Sequence, residues 1–320
     1  MLSRDSVIPY LVGRGIVPPD AHTTVAELPG GVSATVLAVR GLTLALVVKQ
    51  ALLRLKVEDE WTVKQDRTDT ETRALRLCAR LTPGRVPEVI DNDPSAHVVV
   101  MELLPDDALN WQSEIAAGRT HVEVGPWAGE TLGLWHARTA GDAAVAAAFD
   151  DFEPFEQLRL SPFHETVIER LPEAADDVAA RLEQLRRRRC LVDGDFAMKN
   201  TLVGRNQNWV LDFEVAHYGH PIFDLGFFLS FAVLSAVQWP TLRTEMNALA
   251  DGFLGGYATA AGDRLAGDDA DVTAHTGCLV LARTDGKSPA QFLDERGSRR
   301  ARAAGLALLR TPERGLWQWI

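Results

Sequence analysis

An acid, an amide and a second acid stand in order near the middle of the chain. Asp195 lies in Asp193-Gly194-Asp195-Phe196-Ala197-Met198-Lys199-Asn200, Asn200 follows it, and Asp212 closes a short apolar run in Leu211-Asp212-Phe213-Glu214. Moving a phosphoryl group onto a hydroxyl needs one carboxylate to receive the proton, and an amide with a second carboxylate to hold Mg²⁺. In that reading Asp195 is the base, and Asn200 and Asp212 are the metal ligands, hard oxygen donors of the kind Mg²⁺ prefers. Glu214 suits either a second metal ligand or a brace for the loop. Asp224, entering an apolar segment, reads as a helix N-terminal carboxylate that braces the catalytic loop.

Such a set also needs a cation for the nucleotide phosphates. Lys49 ends the apolar run Leu44–Val48, and the helix expected over 65–81 offers Glu71 to hold it, with Asp69 as the alternative. Gly30, Gly31 and Ser33 fall between the first two strands, where glycines let backbone N–H groups approach phosphates. Met101, Glu102 and Leu103 form a hinge that would present backbone N–H and C=O groups to adenine.

The elements that must position these residues fall into two regions. Before residue 105, strands are expected over Thr24–Leu28, Thr35–Val39, Leu42–Val48, Arg85–Val89 and His97–Glu102, with a turn at Arg40-Gly41. The helix at 65–81 puts Ala74, Leu75, Cys78 and Leu81 on one face. After residue 106 helices dominate, the clearest being Pro126–Ala140, 173–189 and Ile222–Val237, with a hairpin-like segment at 191–214 among them. The expected fold is α+β: a two-lobed, protein-kinase-like arrangement with a nucleotide-binding lobe over 1–105 and a helical catalytic and substrate lobe over 106–320, sharing one cleft.

The 320 residues carry a formal net charge of −11, with 46% hydrophobic and 24% charged residues. This balance fits an ordinary soluble globular protein, speaks against nucleic-acid binding, and favours a neutral or cationic small partner. Three separated cysteines fit a reducing cytoplasm. The longest apolar stretch, Phe227–Val237, is too short to span a bilayer, so no membrane association is expected. The four arginines Arg186–Arg189 read as a solvated helix end.

Three stretches resemble the aminoglycoside phosphotransferase and choline kinase superfamily: Asp193–Val203, Leu211–Glu214 and His217-Tyr218-Gly219-His220-Pro221 with Asp224. Leu46–Leu52, Asp66–Glu71, Val98–Leu103 and Glu214–Gly219 look particularly similar to methylthioribose kinase. The resemblance covers roughly residues 25–235. It implies ATP and Mg²⁺ as cofactors, Asp195 as base, Asn200 and Asp212 as metal ligands, and Lys49 on the ATP phosphates. Asp193 stands where the family usually has His, and Asn200 where methylthioribose kinases tend to carry a small hydroxyl residue. The expected protein is a cytoplasmic small-molecule kinase, monomer or homodimer, acting on a hydroxyl of an aminoglycoside-like antibiotic, a sugar or an amino alcohol. A methylthioribose-kinase-like sugar kinase and a weakened, nucleotide-binding pseudokinase are the alternatives. Candidate acceptor walls are 152–164 and 283–289, the latter readable also as a helix-capping turn. Trp111 and Trp127 could stack on a sugar or fill the core.

Overall fold

The computed structural model describes residues 1–28, 33–53, 64–262 and 265–318. The chain forms two compact units, Met1–Ala108 and Leu109–Ile320. Gly30 and Gly31 lie outside the described residues.

The first unit opens with α1 (Val7–Gly13) and carries β1 (Thr23–Glu27), β2 (Ala34–Gly41), β3 (Ala45–Ala51), α2 (Arg67–Leu81), β4 (Val89–Asp93) and β5 (Val98–Glu102). The strands make one antiparallel sheet in the order β1-β2-β3-β5-β4. Alternating apolar residues of β2, β3 and β5 (Leu37, Val39, Leu46, Val48, Val98, Val100) pack against Val7 and Leu11 of α1, as period-two patterning on a half-covered sheet requires. On α2, Ala74, Leu75 and Cys78 are buried and Leu81 is partly exposed. Arg67, at the start of α2, is buried because its guanidinium donates to the carbonyls of Ser33 (2.6 Å), Leu52 (2.8 Å) and Lys64 (2.5 Å).

Two expected boundaries move. The hairpin turn lies at Leu42–Leu44, closed by Gly41 N–H donating to Leu44 O (2.8 Å), and Leu42 stands at its exposed tip. The strand expected over Arg85–Val89 runs instead over Val89–Asp93. Its polar residues are recruited by neighbours: Arg14 pairs with Asp91 (2.8 Å), Tyr10 donates to Asp93 (3.0 Å), and Asn92 binds Thr72 (3.1 Å) and Asp69 (3.0 Å). Tertiary hydrogen bonds here override local strand propensity.

The second unit contains β6 (Leu109–Asn110), α3 (Trp111–Ala116), α4 (Val124–Thr139), α5 (Ala143–Ala148), α6 (Glu153–Phe155), a π-helix over Glu156–Glu165, α7 (Thr166–Arg170) and α8 (Ala175–Leu185). Then come β7 (Cys190–Val192), β8 (Thr201–Val203), β9 (Asn208–Val210), β10 (His217–Gly219), α9 (Ile222–Gln238), α10 (Arg243–Ala261), α11 (Asp269–Asp285) and α12 (Glu295–Arg310). β7 pairs with β10, and β6-β8-β9 form a small sheet. α9 is buried from Ile222 to Val237, as its unbroken apolar sequence demands. Trp111 is core, its indole donating to Thr120 O (2.9 Å). Arg186–Arg189 are exposed after the end of α8.

α4 and α10 approach backbone to backbone. A Cβ on Gly129 would strike the carbonyl oxygen of Phe253 and lie 2.8 Å from Tyr257 N, so only glycine permits this spacing. The close approach sets His136 of α4 beside Tyr257 of α10, with His136 Nδ1 and the tyrosine hydroxyl 3.0 Å apart.

Candidate active site

The loop after β7 is held from below by one carboxylate. Asp224, in the first turn of α9 and fully buried, accepts from Asp193 N–H (2.8 Å) on Oδ2 and from Gly194 N–H (2.8 Å) on Oδ1. Its Oδ2 also meets His136 Nε2 at 3.1 Å, continuing the chain Tyr257–His136–Asp224. This is the loop brace that the sequence placed at Asp224. Gly194 takes φ +77°, and a Cβ there would sit 2.9 Å from Val215 O, so glycine is required at the bend.

The bend delivers Asp195, 2% exposed, to a cluster of donors. Asn200 Nδ2 donates to its Oδ2 (2.6 Å), Lys199 Nζ also reaches Oδ2, and Arg159 Nη2 lies 2.5 Å from Oδ1. Arg159 further donates from Nε to Gly194 O (2.8 Å) and from Nη1 to Leu158 O (2.8 Å), with its guanidinium over Phe163 and Phe227 at 5.7 and 5.8 Å. Two cations and an amide thus fix the carboxylate in one orientation.

Asp193 is buried, with Oδ1 accepting from Asp195 N–H (2.8 Å) and Oδ2 without a hydrogen-bond partner among the described residues. Burial, and then the neighbouring Asp224 carboxylate, push its pKa well above the usual carboxylate range. Asp193 thus supports the backbone of Asp195 directly.

Asn200 ends a short 3₁₀ turn, and Leu211 N–H donates to Asn200 O (2.8 Å) across the β8–β9 hairpin. The hairpin therefore brings Asn200 and the segment carrying Asp212 opposite one another. Because the Asn200 amide donates its Nδ2 to Asp195, its Oδ1 is the end left to a cation. Asp212 adopts φ +69°, a backbone state rare for non-glycine residues and concentrated at functional positions. These two hard oxygen donors fit Mg²⁺, which keeps waters and shares phosphate oxygens. Glu214 is buried.

In the first unit Lys49 Nζ and Glu71 Oε1 form an ion pair of 2.8 Å, with side chains 12% and 3% exposed. Lys49 lies within β3, opposite Val36 and Val99, rather than at a strand end. Asp69 is engaged with Asn92 instead. Ser33 lends its carbonyl to Leu52 N–H (2.9 Å) and Arg67. Of the expected hinge, Glu102 N–H donates to Glu88 O (2.9 Å) and Leu103 N–H to Ala45 O (2.9 Å), so these two donors serve the sheet rather than a base.

Arg159, Lys199, His136 and Tyr257 escaped the sequence reading. Lys199 was visible, four residues after Asp195. Arg159 sits on the π-helix, whose period matches no standard template, and His136 meets Asp224 only through the helix packing.

A methylthioribose kinase of Bacillus pumilus is 26% identical over 266 residues, 74% of this chain and 67% of that protein. One of Pectobacterium carotovorum is 24% identical over 232 residues, 64% of this chain and 58% of that protein, so the match leaves a third or more of these relatives' length uncovered. The solved choline kinase of Cryptosporidium parvum has a TM-score of 0.61 at 12% identity, covering 98% of each chain. A putative aminoglycoside phosphotransferase from Ralstonia eutropha gives 0.58 at 15% identity, covering 98% of this chain and 99% of that one. These structural likenesses establish the α+β, protein-kinase-like fold. Residues 24–267 match the model of the phosphotransferase enzyme family, and the chain belongs to that family.

Proposed function

We propose that this protein transfers the γ-phosphoryl group of ATP to a hydroxyl of a small molecule, with Asp195 as the base. The observation that carries the reading is the setting of Asp195: a buried carboxylate aimed by Arg159, Lys199 and Asn200, on a loop fixed by Asp224. The acceptor oxygen attacks the γ-phosphorus, the bond to the β–γ bridging oxygen breaks, and ADP leaves with that electron pair. Asp195 takes the hydroxyl proton late in a loose transition state. Asn200 and Asp212 would hold Mg²⁺, which neutralises phosphate charge when bound. In the first unit, Lys49 held by Glu71 would pair with phosphate oxygens, the residues 30–33 would cover them, and the Met101–Leu103 backbone would line the base through its carbonyls. The nucleotide-binding and catalytic parts divide near residue 105.

A sugar kinase of the methylthioribose kinase type is the second reading, favoured by the names of the curated relatives. No described helix is long and apolar enough to cross a membrane. A cytoplasmic monomer or homodimer fits the proposal, and the three buried cysteines, none of them in a disulfide, agree with a reducing compartment.

Asp195→Ala should abolish Mg²⁺- and acceptor-dependent ADP release while leaving ATP binding intact. The acceptor panel is sugars (5-methylthioribose among them), aminoglycosides, amino alcohols and hydroxy acids. Equal turnover by the parent and Asp195→Ala would refute the role of Asp195. ATP-induced thermal stabilisation with no turnover on any acceptor would favour a pseudokinase.

A further inference from the structure

The Asp195 carboxylate is met by two cations, Arg159 and Lys199. A third, Arg283, stands in the last turn of α11, with its guanidinium 5.9 Å from the Phe163 ring centroid and 5.6 Å from that of Phe231. Arg159 lies over the same Phe163 ring at 5.7 Å, so the two arginines flank one aromatic side chain.

The partners of Arg283 are uneven. Nη1 donates to Ser288 O (2.5 Å) and Ser288 Oγ (3.1 Å). Nε is buried and has no acceptor among the described residues. The edge formed by Nε and Nη2 is the one that grips a carboxylate or phosphate in two parallel hydrogen bonds. Among the described residues neither nearby carboxylate forms an ion pair with it. Asp285, two residues on, is gripped by Arg302 and accepts from Thr284 Oγ1 (2.7 Å). Asp195 is ion-paired with Arg159 and Lys199 and accepts from Asn200 on Oδ2, while its Oδ1 accepts no hydrogen bond among the described residues. Burial lowers the Arg283 pKa to about 10; Asp195 pulls it back up and Arg159 pushes it further down. A buried cation without its own counter-ion is costly unless a ligand supplies one.

The segment that holds Arg283 is fastened to the π-helix. Lys287 N–H donates to Pro162 O (2.9 Å), Ala290 N–H to Arg283 O (2.8 Å), and Arg170 Nη1 to Asp285 O (3.0 Å) and Gly286 O (3.1 Å). The stretch 283–289 is therefore a helix end tied to the π-helix and to α7.

We propose that Arg283, assisted by the charge of Arg159, binds an anionic group carried by the acceptor itself, so that the acceptor is a hydroxylated carboxylate or phosphate rather than a neutral sugar or a cationic aminoglycoside. This rests on Asp195 as the base of the reaction. Inorganic phosphate and the matched pairs glycerol and D-glycerate, and glucose and D-gluconate, are the probes, titrated at constant ionic strength with thermal stability as the readout. The parent should respond to phosphate and to the acid of each pair, and not to the neutral member. Arg283→Gln should weaken the phosphate and acid responses about tenfold or more, while its ATP affinity, measured separately, stays within about twofold. Arg283→Lys keeps the charge but loses the fork, and should fall between the two; it decides the matter if Arg283→Gln does not fold. Equal response to both members of each pair, or an unchanged response in the variants, would overturn the proposal. Loss of ATP affinity in parallel would overturn it too, because the anion would then be the nucleotide's phosphate. These titrations need no turnover. Failure of the kinase reading shows separately, as ADP release undiminished in Asp195→Ala.

Discussion

Asp224→Asn tests whether one carboxylate fixes the catalytic loop. The aspartate accepts three hydrogen bonds in a fully buried position, from Asp193 N–H, Gly194 N–H and His136 Nε2. An asparagine keeps one carbonyl oxygen, which can still serve Gly194. Its NH₂ group then faces Asp193 N–H, donor against donor, and that buried amide loses its partner at about 1–3 kcal/mol. His136 can adapt: with its proton on Nδ1, donated to the Tyr257 hydroxyl, Nε2 can accept from the new NH₂. What remains is the loss of charge assistance in the surviving bonds, about 1 kcal/mol each. The expected loss is therefore about 3–5 kcal/mol in urea unfolding, with ADP release reduced at least in proportion to the disordered loop. A variant within about 1 kcal/mol of the parent would show that Asp224 does not hold the loop.

Two further outcomes follow from the packing. Gly129→Ala should destabilise by about 4 kcal/mol or more in urea unfolding, because the new methyl meets the backbone at Phe253 rather than a movable side chain; a loss under about 1 kcal/mol would mean that the two helices separate easily. Burial holds His164, His217 and His220 at pKa values of about 4, below the usual value near 6.5. They are neutral in the fold, so the stability they contribute is complete above about pH 6.5 and is lost as pH falls toward about 4. Asp193, whose pKa is raised, acts in the opposite sense, its share being lost as pH rises. The histidines outnumber it, and the urea midpoint should fall between about pH 6.5 and about pH 5 by the equivalent of at least about 2 kcal/mol; a flat profile would contradict the burial of these rings.

The sheet of the first unit was legible because alternating apolar residues and one amphipathic helix leave few arrangements. Val89–Asp93 was not, since its polar residues become a strand only when Arg14, Tyr10 and Thr72 supply partners. Around Asp195 the neighbouring Asn200 could be picked out from order and spacing, and the Lys49–Glu71 pair from a lysine in a strand ahead of an acid on a helix. The groups that aim Asp195 could not. His136 and Asp224 are brought together by a glycine seam whose function is visible only as a distance. Arg159 belongs to a helix of uncommon period, in a stretch where Pro162 argues against any helix.

That π-helix has a consequence for how such a protein could change its acceptor. Each residue added to or removed from an α-helix rotates everything beyond it by roughly 100°, and somewhat less in the wider π-helix. Deleting one residue between Phe155 and Arg159 would swing Arg159 off Asp195 and Phe163 away from Arg283, while β7, the Asp224 brace and the hairpin carrying Asn200 stayed where they are. In the proposed reaction, the wall facing the acceptor would thus be encoded in helical phase, and the loop carrying the base in strand pairing. A single codon gained or lost could redraw the first and spare the second.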